Sequence, residues 1–273
     1  MTDPRTDPPS GPPADPPART VRHLRDRWSA DVPAFGLWST LADPVVAELL
    51  AASPFDYVCV DLQHGLATWG DLPAMATAMR AAGRAPVVRV PWNEPAPIMR
   101  ALDVGAVAVI VPMVNSADDA RRAVSACRYP PAGTRSWGPM WAASRPVPEP
   151  AGQDAQALCL VMIETAAAVA DLDAILRVPG LDGVYIGPND LALSCGHGRA
   201  TYRDDEAVER LLDHVVTTVR SAGLVAGLHC SDPAMAAEWA GRGARLLTTA
   251  HDATLLAEAV ERTWTALGPP DRA

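Results

Sequence analysis

Residues 158–193 read LCLVMIET (158–165), AAAVADLDAILRVPGL (166–181) and DGVYIGPNDLAL (182–193). A short apolar run is followed by a stretch with helical spacing and then by a second short apolar run, which is the pattern of a parallel β-α-β unit. Each run ends near an acid. Glu164 closes the first, and Asp190 follows the second across the turn Gly187-Pro188-Asn189. In a sheet of parallel strands, residues just past the strand ends share one mouth. Two carboxylates there suit a hard divalent cation that takes few protein oxygens and leaves the rest of its sphere to water and substrate. The same spacing also suits a helix cap at Glu164 and a tight turn at Asp190, so the two readings stand side by side.

Outward from this unit the pattern repeats. Strands are expected at 33–38, 56–61, 86–90, 107–112, 157–163, 183–187, 224–228 and 245–250. Helices are expected near 43–52, 70–83, 94–103, 116–127, 166–177, 204–222, 232–242 and 252–267. Asp43 before Pro44, Ser116 before Ala117, and Ser231-Asp232 before Pro233 are helix-start signals. Gly83, Gly105, Gly180, Gly223 and Gly243 fall where helices should stop. Eight strands alternating with eight helices give an α/β fold of the (β/α)8 TIM-barrel type. A doubly wound open sheet is the rival, but residues 36–43 (GLWSTLAD) lack the glycine-rich phosphate turn it would carry. Residues 1–19 hold seven prolines and read as a disordered tail, with a short helix over 20–30 and a single domain over 20–273.

Composition narrows the function. The chain has 273 residues, 49% of them hydrophobic, enough for one large core. A net charge of −9 and no basic patch argue against a nucleic-acid partner. No apolar run approaches the ~20 residues of a membrane span, and MTDPRTDPPSGPPADPP has no apolar segment of a secretory signal. Five cysteines without a CxxC pair point to a reducing, cytoplasmic compartment. All 23 basic residues are Arg. Schiff-base chemistry at a lysine and a P-loop lysine are therefore both excluded. A carbanion next to a carbonyl would need a metal or fixed cations instead.

The barrel predicts that functional groups cluster after strand C-termini. Those positions carry Trp38, then Asp61 with Gln63 and His64, then Arg89, Met113 and Asn115, then Glu164, Asn189, Asp190, His229 and His251. His64, three residues past the acid Asp61, is a candidate base, because histidine is the residue type that general-base chemistry at neutral pH favours. Arg89 interrupts an apolar strand, and a buried guanidinium must be paired, either with Asp61 or Glu164 or with a substrate oxygen. His229 and His251 have no nameable partner, and with His197 in a loop, His214 inside a helix and His23 near the tail they read as structural. The long loop 128–145 (RYPPAGTRSWGPMWAASR) would place Arg135, Trp137 and Trp141 either in a lid or at a subunit contact.

Several stretches together resemble one family. GLWSTL, AELLAASPFDYVCVDLQHG, PVVRVPWNEPAPIMRALDVGA, VIVPMVNSADDARRAVSACRYPPAGTRS, VMIET and GVYIGPNDLAL are similar, in order, to the HpcH/HpaI family of metal-dependent (class II) pyruvate aldolases, over roughly residues 30–267. The resemblance implies reversible cleavage of a 4-hydroxy-2-oxo acid into pyruvate and an aldehyde through a metal-stabilised pyruvate enolate. It makes Glu164 and Asp190 the ligands of Mg2+, Mn2+ or Co2+. Arg89 becomes the clamp on the pyruvate oxygens, His64 the base acting with or through water, and Asp61 the support of the water network. Gly187, Pro188, Asn189, Asp190, Trp38 and Met162 fall against substrate. Asp103 matches a position that some relatives bring to the histidine from a neighbouring subunit. The family is typically a hexamer, a trimer of dimers that swap the C-terminal helix, here 252–267.

Three departures bear on the acceptor. Met162 stands where the family often has Gln, GPNDLA replaces GPADLS, and the loop after Arg135 is shorter and carries Trp137 and Trp141. The same enolate could serve oxaloacetate decarboxylation or a biosynthetic carbon–carbon bond instead. A barrel without turnover, acting as a binding subunit, is disfavoured by the complete set Asp61, His64, Arg89, Glu164 and Asp190.

Overall fold

The computed structural model describes residues 15–268. Of the tail expected over 1–19, residues 1–14 lie outside them, whereas residues 16–19 are already helical, since the N-terminal helix begins at Pro16. Eight parallel strands close into a barrel in sequence order: β1 (Ala34–Ser39), β2 (Tyr57–Asp61), β3 (Val87–Arg89), β4 (Ala108–Val111), β5 (Leu158–Ile163), β6 (Gly183–Ile186), β7 (Val225–His229) and β8 (Leu246–His251). β1 pairs with β8 to complete the ring, with a register shift between Gly36 and Leu37. The expected (β/α)8 barrel is the observed one, with strand ends within a residue of their expected positions.

The helices are α1 (Pro16–Ser29), α2 (Pro44–Ala51), α3 (Leu72–Ala81), α4 (Pro95–Asp103), α5 (Ala117–Cys127), α6 (Pro150–Gln156), α7 (Ala166–Ala170), α8 (Leu172–Leu176), α9 (Pro188–Ser194), α10 (Glu206–Ser221), α11 (Pro233–Gly241) and α12 (Asp252–Ala266). The anticipated caps form: the Asp43 carboxylate accepts from the Val45 and Val46 N–H groups, Ser116 accepts from Asp119, and Asp232 from Met235. The single helix expected over 166–177 is broken at Asp171, whose carboxylate turns away to accept from the Ala117 N–H at 2.8 Å. The turn read after Gly187 opens a short helix instead. Pro188 occupies its first position, where its missing N–H costs nothing, and Asp190 lies in its first turn.

Strand alternation divides the core in two. Val58, Val60, Val88, Val109, Cys159, Val161 and Val184 face outward and pack under the helices. Trp38, Tyr57, Cys59, Val87, Ile110, Leu158, Leu160, Met162, Tyr185 and Leu246 face inward and fill the barrel. Gly36 makes room for one of these rings, since a Cβ there would lie 2.3 Å from Tyr57. Val21 and Leu24 of α1 close the lower end. Because the side-chain period is two, the same inward rows continue to Asp61 after Cys59, Arg89 after Val87, Glu164 after Met162 and Gly187 after Tyr185. The barrel interior thus changes from apolar to charged at its mouth.

Candidate active site

The Arg89 guanidinium and the Asp61 carboxylate meet side by side. Arg89 Nε donates to Asp61 Oδ1 at 2.8 Å and Nη2 donates to Oδ2 at 2.6 Å. Adjacent strands place the two residues in direct register. Both are buried, at 8% and 2% exposure. Burial alone would raise the Asp61 pKa, but the Arg89 hydrogen bonds and charge, with the Gln63 N–H, outweigh it and hold the carboxyl below its usual range. Burial likewise opposes the Arg89 charge, and Asp61 more than compensates. The guanidinium also lies over the Trp38 ring, 5.2 Å from its centroid. Trp38, expected against substrate, is fully buried and instead forms the floor under Arg89.

Asp61 also shapes the turn that carries His64. Its Oδ1 accepts from the backbone N–H of Gln63 at 3.0 Å and of His64 at 3.3 Å. The His64 side chain is exposed at the mouth, and Asp61 orients it through the backbone rather than by a bond to the ring.

Glu164 is 2% exposed. Its Oε1 accepts from the Met113 N–H at 2.7 Å, which requires the left-handed backbone of Met113, φ 56°. Burial raises the Glu164 pKa; the Met113 N–H and the Arg89 charge oppose this, and the Asp190 charge adds to it. Asp190 projects exposed from the first turn of α9. The repulsion between these two carboxylates is what a cation would relieve. A Cβ at Gly187 would come to 3.0 Å from Glu164 Oε2 and 3.0 Å from the Met162 methyl, so the glycine keeps the flank of that oxygen clear. Among the described residues no group of three or more His, Cys, Asp and Glu is arranged around a metal position. The available donor set is therefore the carboxylate pair, and it fits an oxygen-seeking ion that retains water or substrate ligands.

Pro188 and Asn189 line a cavity beside this pair, together with His229 and His251. These two histidines had no nameable partner in the sequence. In the barrel His229 Nε2 lies 3.2 Å from His251 Nε2, and His229 Nδ1 lies 3.3 Å from the Tyr185 hydroxyl. The signal was present: 225, 227 and 229 share one inward row. Cys230 points the other way, into the outer core.

Asp103 ends α4 at the opposite end of the barrel from the mouth. There the Arg135 Nη2 donates to it at 2.8 Å, so it does not reach the His64 of its own chain. The loop after α5 lies at the same lower end, because it joins a helix back to the next strand. It is therefore no lid over its own mouth. Arg135 is buried over the Tyr129 ring, and the Trp141 indole donates to the Val104 carbonyl at 2.8 Å.

A closed barrel with a buried Arg–Asp clamp and a carboxylate pair at one mouth is an arrangement that can hold a small oxyanion beside a cation. The profile of the HpcH/HpaI aldolase/citrate lyase family matches residues 34–259, and the chain belongs to that family. It is 38% identical to a 4-hydroxy-2-oxo-heptane-1,7-dioate aldolase of Salmonella dublin over 241 residues, 87% of this chain and 91% of the relative. A family protein from Burkholderia cenocepacia J2315 superposes with a TM-score of 0.81 at 30% identity, covering 92% of this chain and 99% of the other. The HpcH/HpaI aldolase of Desulfitobacterium hafniense DCB-2 gives 0.80 at 29% identity, covering 90% and 97%.

Proposed function

We propose that this chain is a divalent-metal-dependent aldolase that reversibly cleaves a 4-hydroxy-2-oxo acid to pyruvate and an aldehyde. The observation that supports it most is Arg89, locked on Asp61 by two of its nitrogens and close enough to Glu164 to influence its ionisation. Glu164 and Asp190 would hold the cation, Mg2+, Mn2+ or Co2+. When bound, it supplies Lewis acidity toward the oxygens of the 2-oxo acid.

The residues of the chain do the rest. Among the described residues no hydrogen bond uses Arg89 Nη1, so this N–H edge remains to take a carboxylate or keto oxygen of the substrate. The salt bridge and the Trp38 floor hold it in place before substrate arrives, which is the preorganisation that charge stabilisation needs as the C3–C4 bond breaks. His64, exposed at the mouth, takes the proton of the C4 hydroxyl with or through water. The inward apolar wall at Met162 keeps water from the carbon that becomes nucleophilic.

The decisive experiment follows pyruvate release from a simple 4-hydroxy-2-oxo acid, and deuterium exchange at pyruvate C3, with and without exhaustive chelation. Both should vanish on chelation and return with Mg2+ or Mn2+. Persistence without metal would refute the metal-dependent assignment.

A homo-oligomer accompanies this reading. Beyond Asp252, α12 is almost wholly exposed and presents Leu255, Leu256, Val260 and Trp264. Exposed apolar area on one long helix fits exchange of that helix with a second copy. A hexamer would be the assembly in which a neighbour's Asp103 reaches His64. No helix among the described residues is long and apolar enough to cross a membrane, and all five thiols are free, which suits a cytoplasmic setting.

A further inference from the structure

The C-terminal ends of β6, β7 and β8 enclose a cavity of about 340 Å³. Pro188 and Asn189, which line it, lead into Asp190 within the first turn of α9, so it opens beside the carboxylate pair. Its other link to the site is His229, which packs edge-on against Trp38 with centroids 4.9 Å apart, while Arg89 lies over that same indole.

The wall of this cavity is mostly apolar, from Pro188, Ala200, Tyr202, Val208 and Met235, with a small set of polar groups and one arginine. Asn189, Thr201, Ser231 and Thr254 line it with His229 and His251. Arg203 is the arginine on this wall; its charge is balanced by Asp232, 3.0 Å from Nη1, and its half-exposed guanidinium sits 5.0 Å from the Tyr202 ring centroid. The histidine pair is held from inside the barrel. Thr248 Oγ1 bonds the Tyr185 hydroxyl, the hydroxyl lies 3.3 Å from His229 Nδ1, and His229 Nε2 meets His251 Nε2. Both nitrogens of His229 are used in this chain of bonds. His251 keeps Nδ1, for which the described residues supply no hydrogen-bond partner, and its ring stands nearly perpendicular to that of His229 at 80°. A ring fixed through one nitrogen offers the other in a single orientation.

We propose, resting on the aldolase reading above, that this cavity is the acceptor subsite and that it takes a short neutral aldehyde bearing a hydroxyl group, recognised by His251, rather than an acid aldehyde. In the synthetic direction C3 of the pyruvate enolate bonds to the aldehyde carbon, the carbonyl π pair moves to oxygen, and that oxygen takes one proton; nothing is oxidised or reduced. The acceptor carbonyl must face the carboxylate pair and Arg89, which leaves its substituent against the wall of His251, Asn189 and Thr254. A carboxylate placed there would lose its water against a mostly apolar wall whose one arginine is already charge-balanced by Asp232, and that is costly. A hydroxyl group instead completes the free hydrogen-bonding positions. Sites built around such a bond discriminate strongly against analogues that lack it.

The test compares kcat/KM for aldol addition of pyruvate to glycolaldehyde, to propanal (the same size without the hydroxyl) and to succinic semialdehyde (an acid aldehyde). Glycolaldehyde should exceed both by at least about tenfold. In His251→Leu the glycolaldehyde-to-propanal ratio should fall by about tenfold or more. In His251→Gln, which keeps a neutral hydrogen-bonding end, it should fall less. Succinic semialdehyde equal to or better than glycolaldehyde would overturn the assignment, as would a ratio unmoved in both variants. Pyruvate C3 exchange by the unmodified enzyme runs in parallel. Exchange with the wrong aldehyde order defeats the subsite alone, whereas no exchange with any metal defeats the aldolase reading and this inference with it.

Discussion

Asp61→Asn tests the clamp most directly. The substitution keeps size and shape, removes one charge, and replaces an oxygen acceptor with an NH2 donor facing a guanidinium. Arg89 then remains 8% exposed and has lost one of two short charge-assisted bonds, of 2.8 and 2.6 Å. Removing one partner of a buried pair costs about 3–5 kcal/mol, because the remaining charge stays desolvated. At about 2–4 °C per kcal/mol for a chain of this size, Tm should fall by roughly 6–20 °C. Pyruvate C3 exchange should fall with it, since Nη1 is no longer aimed. Thermal and urea unfolding of the variant at neutral pH measure the first effect, and exchange well below its Tm measures the second. The double change Asp61→Leu with Arg89→Met sharpens the comparison: an apolar pair of similar volume should recover much of the stability and none of the exchange. A loss in Asp61→Asn below about 1 kcal/mol, the scale of a solvent-exposed pair, with exchange intact, would refute the reasoning.

Glu164→Gln and Asp190→Asn should each reduce Mn2+ binding and pyruvate exchange by more than about a hundredfold. Glu164→Gln should nevertheless be as stable as the parent or more so, because burial already disfavours the charge it removes; a large stability loss in calorimetry would contradict this. Burial, with the neighbouring His251 and Arg89, pushes His229 down to about 3, whereas an unfolded imidazole protonates near about 6.5. Between those values the unfolded chain binds more protons, so stability falls as pH drops through that window, by up to about 1.4 kcal/mol per pH unit for this group. His229→Leu should flatten the slope between about pH 6.5 and 5, and equal slopes in parent and variant would count against a buried neutral ring. Leu256→Asp with Val260→Asp, both on the exposed face of α12, should shift the protein to smaller species in analytical ultracentrifugation without lowering monomer stability. An unchanged assembly would exclude this helix from the interface.

The barrel was legible because each strand is a short apolar run bounded by turn or cap residues, and eight such runs alternate with helical spacing. Asp61, Arg89 and Glu164 were legible as site candidates because a polar residue closing an apolar strand marks the mouth of the barrel. Less was legible where a local signal served two outcomes. Gly187-Pro188-Asn189 reads as a turn, yet proline at the first helical position opened α9. The tryptophan-rich loop after α5 read as a possible lid because its length carried no information about which end of the barrel it occupies; chain direction through the closed ring assigns it to the lower end.

From the sequence alone came the parallel alternation, the polar residues at the strand ends and the absence of any lysine for imine chemistry, all of which depend on period and composition along the chain. Only the closed tertiary structure decided who pairs with whom. Arg89 takes Asp61 because β2 and β3 are neighbours in register. Trp38 sinks beneath the guanidinium instead of facing the mouth, and Tyr185, His229, His251 and Thr248 join from three strands into one hydrogen-bonded row. Those contacts span up to 63 residues of chain, and no local pattern records a distance that exists only once the ring has shut.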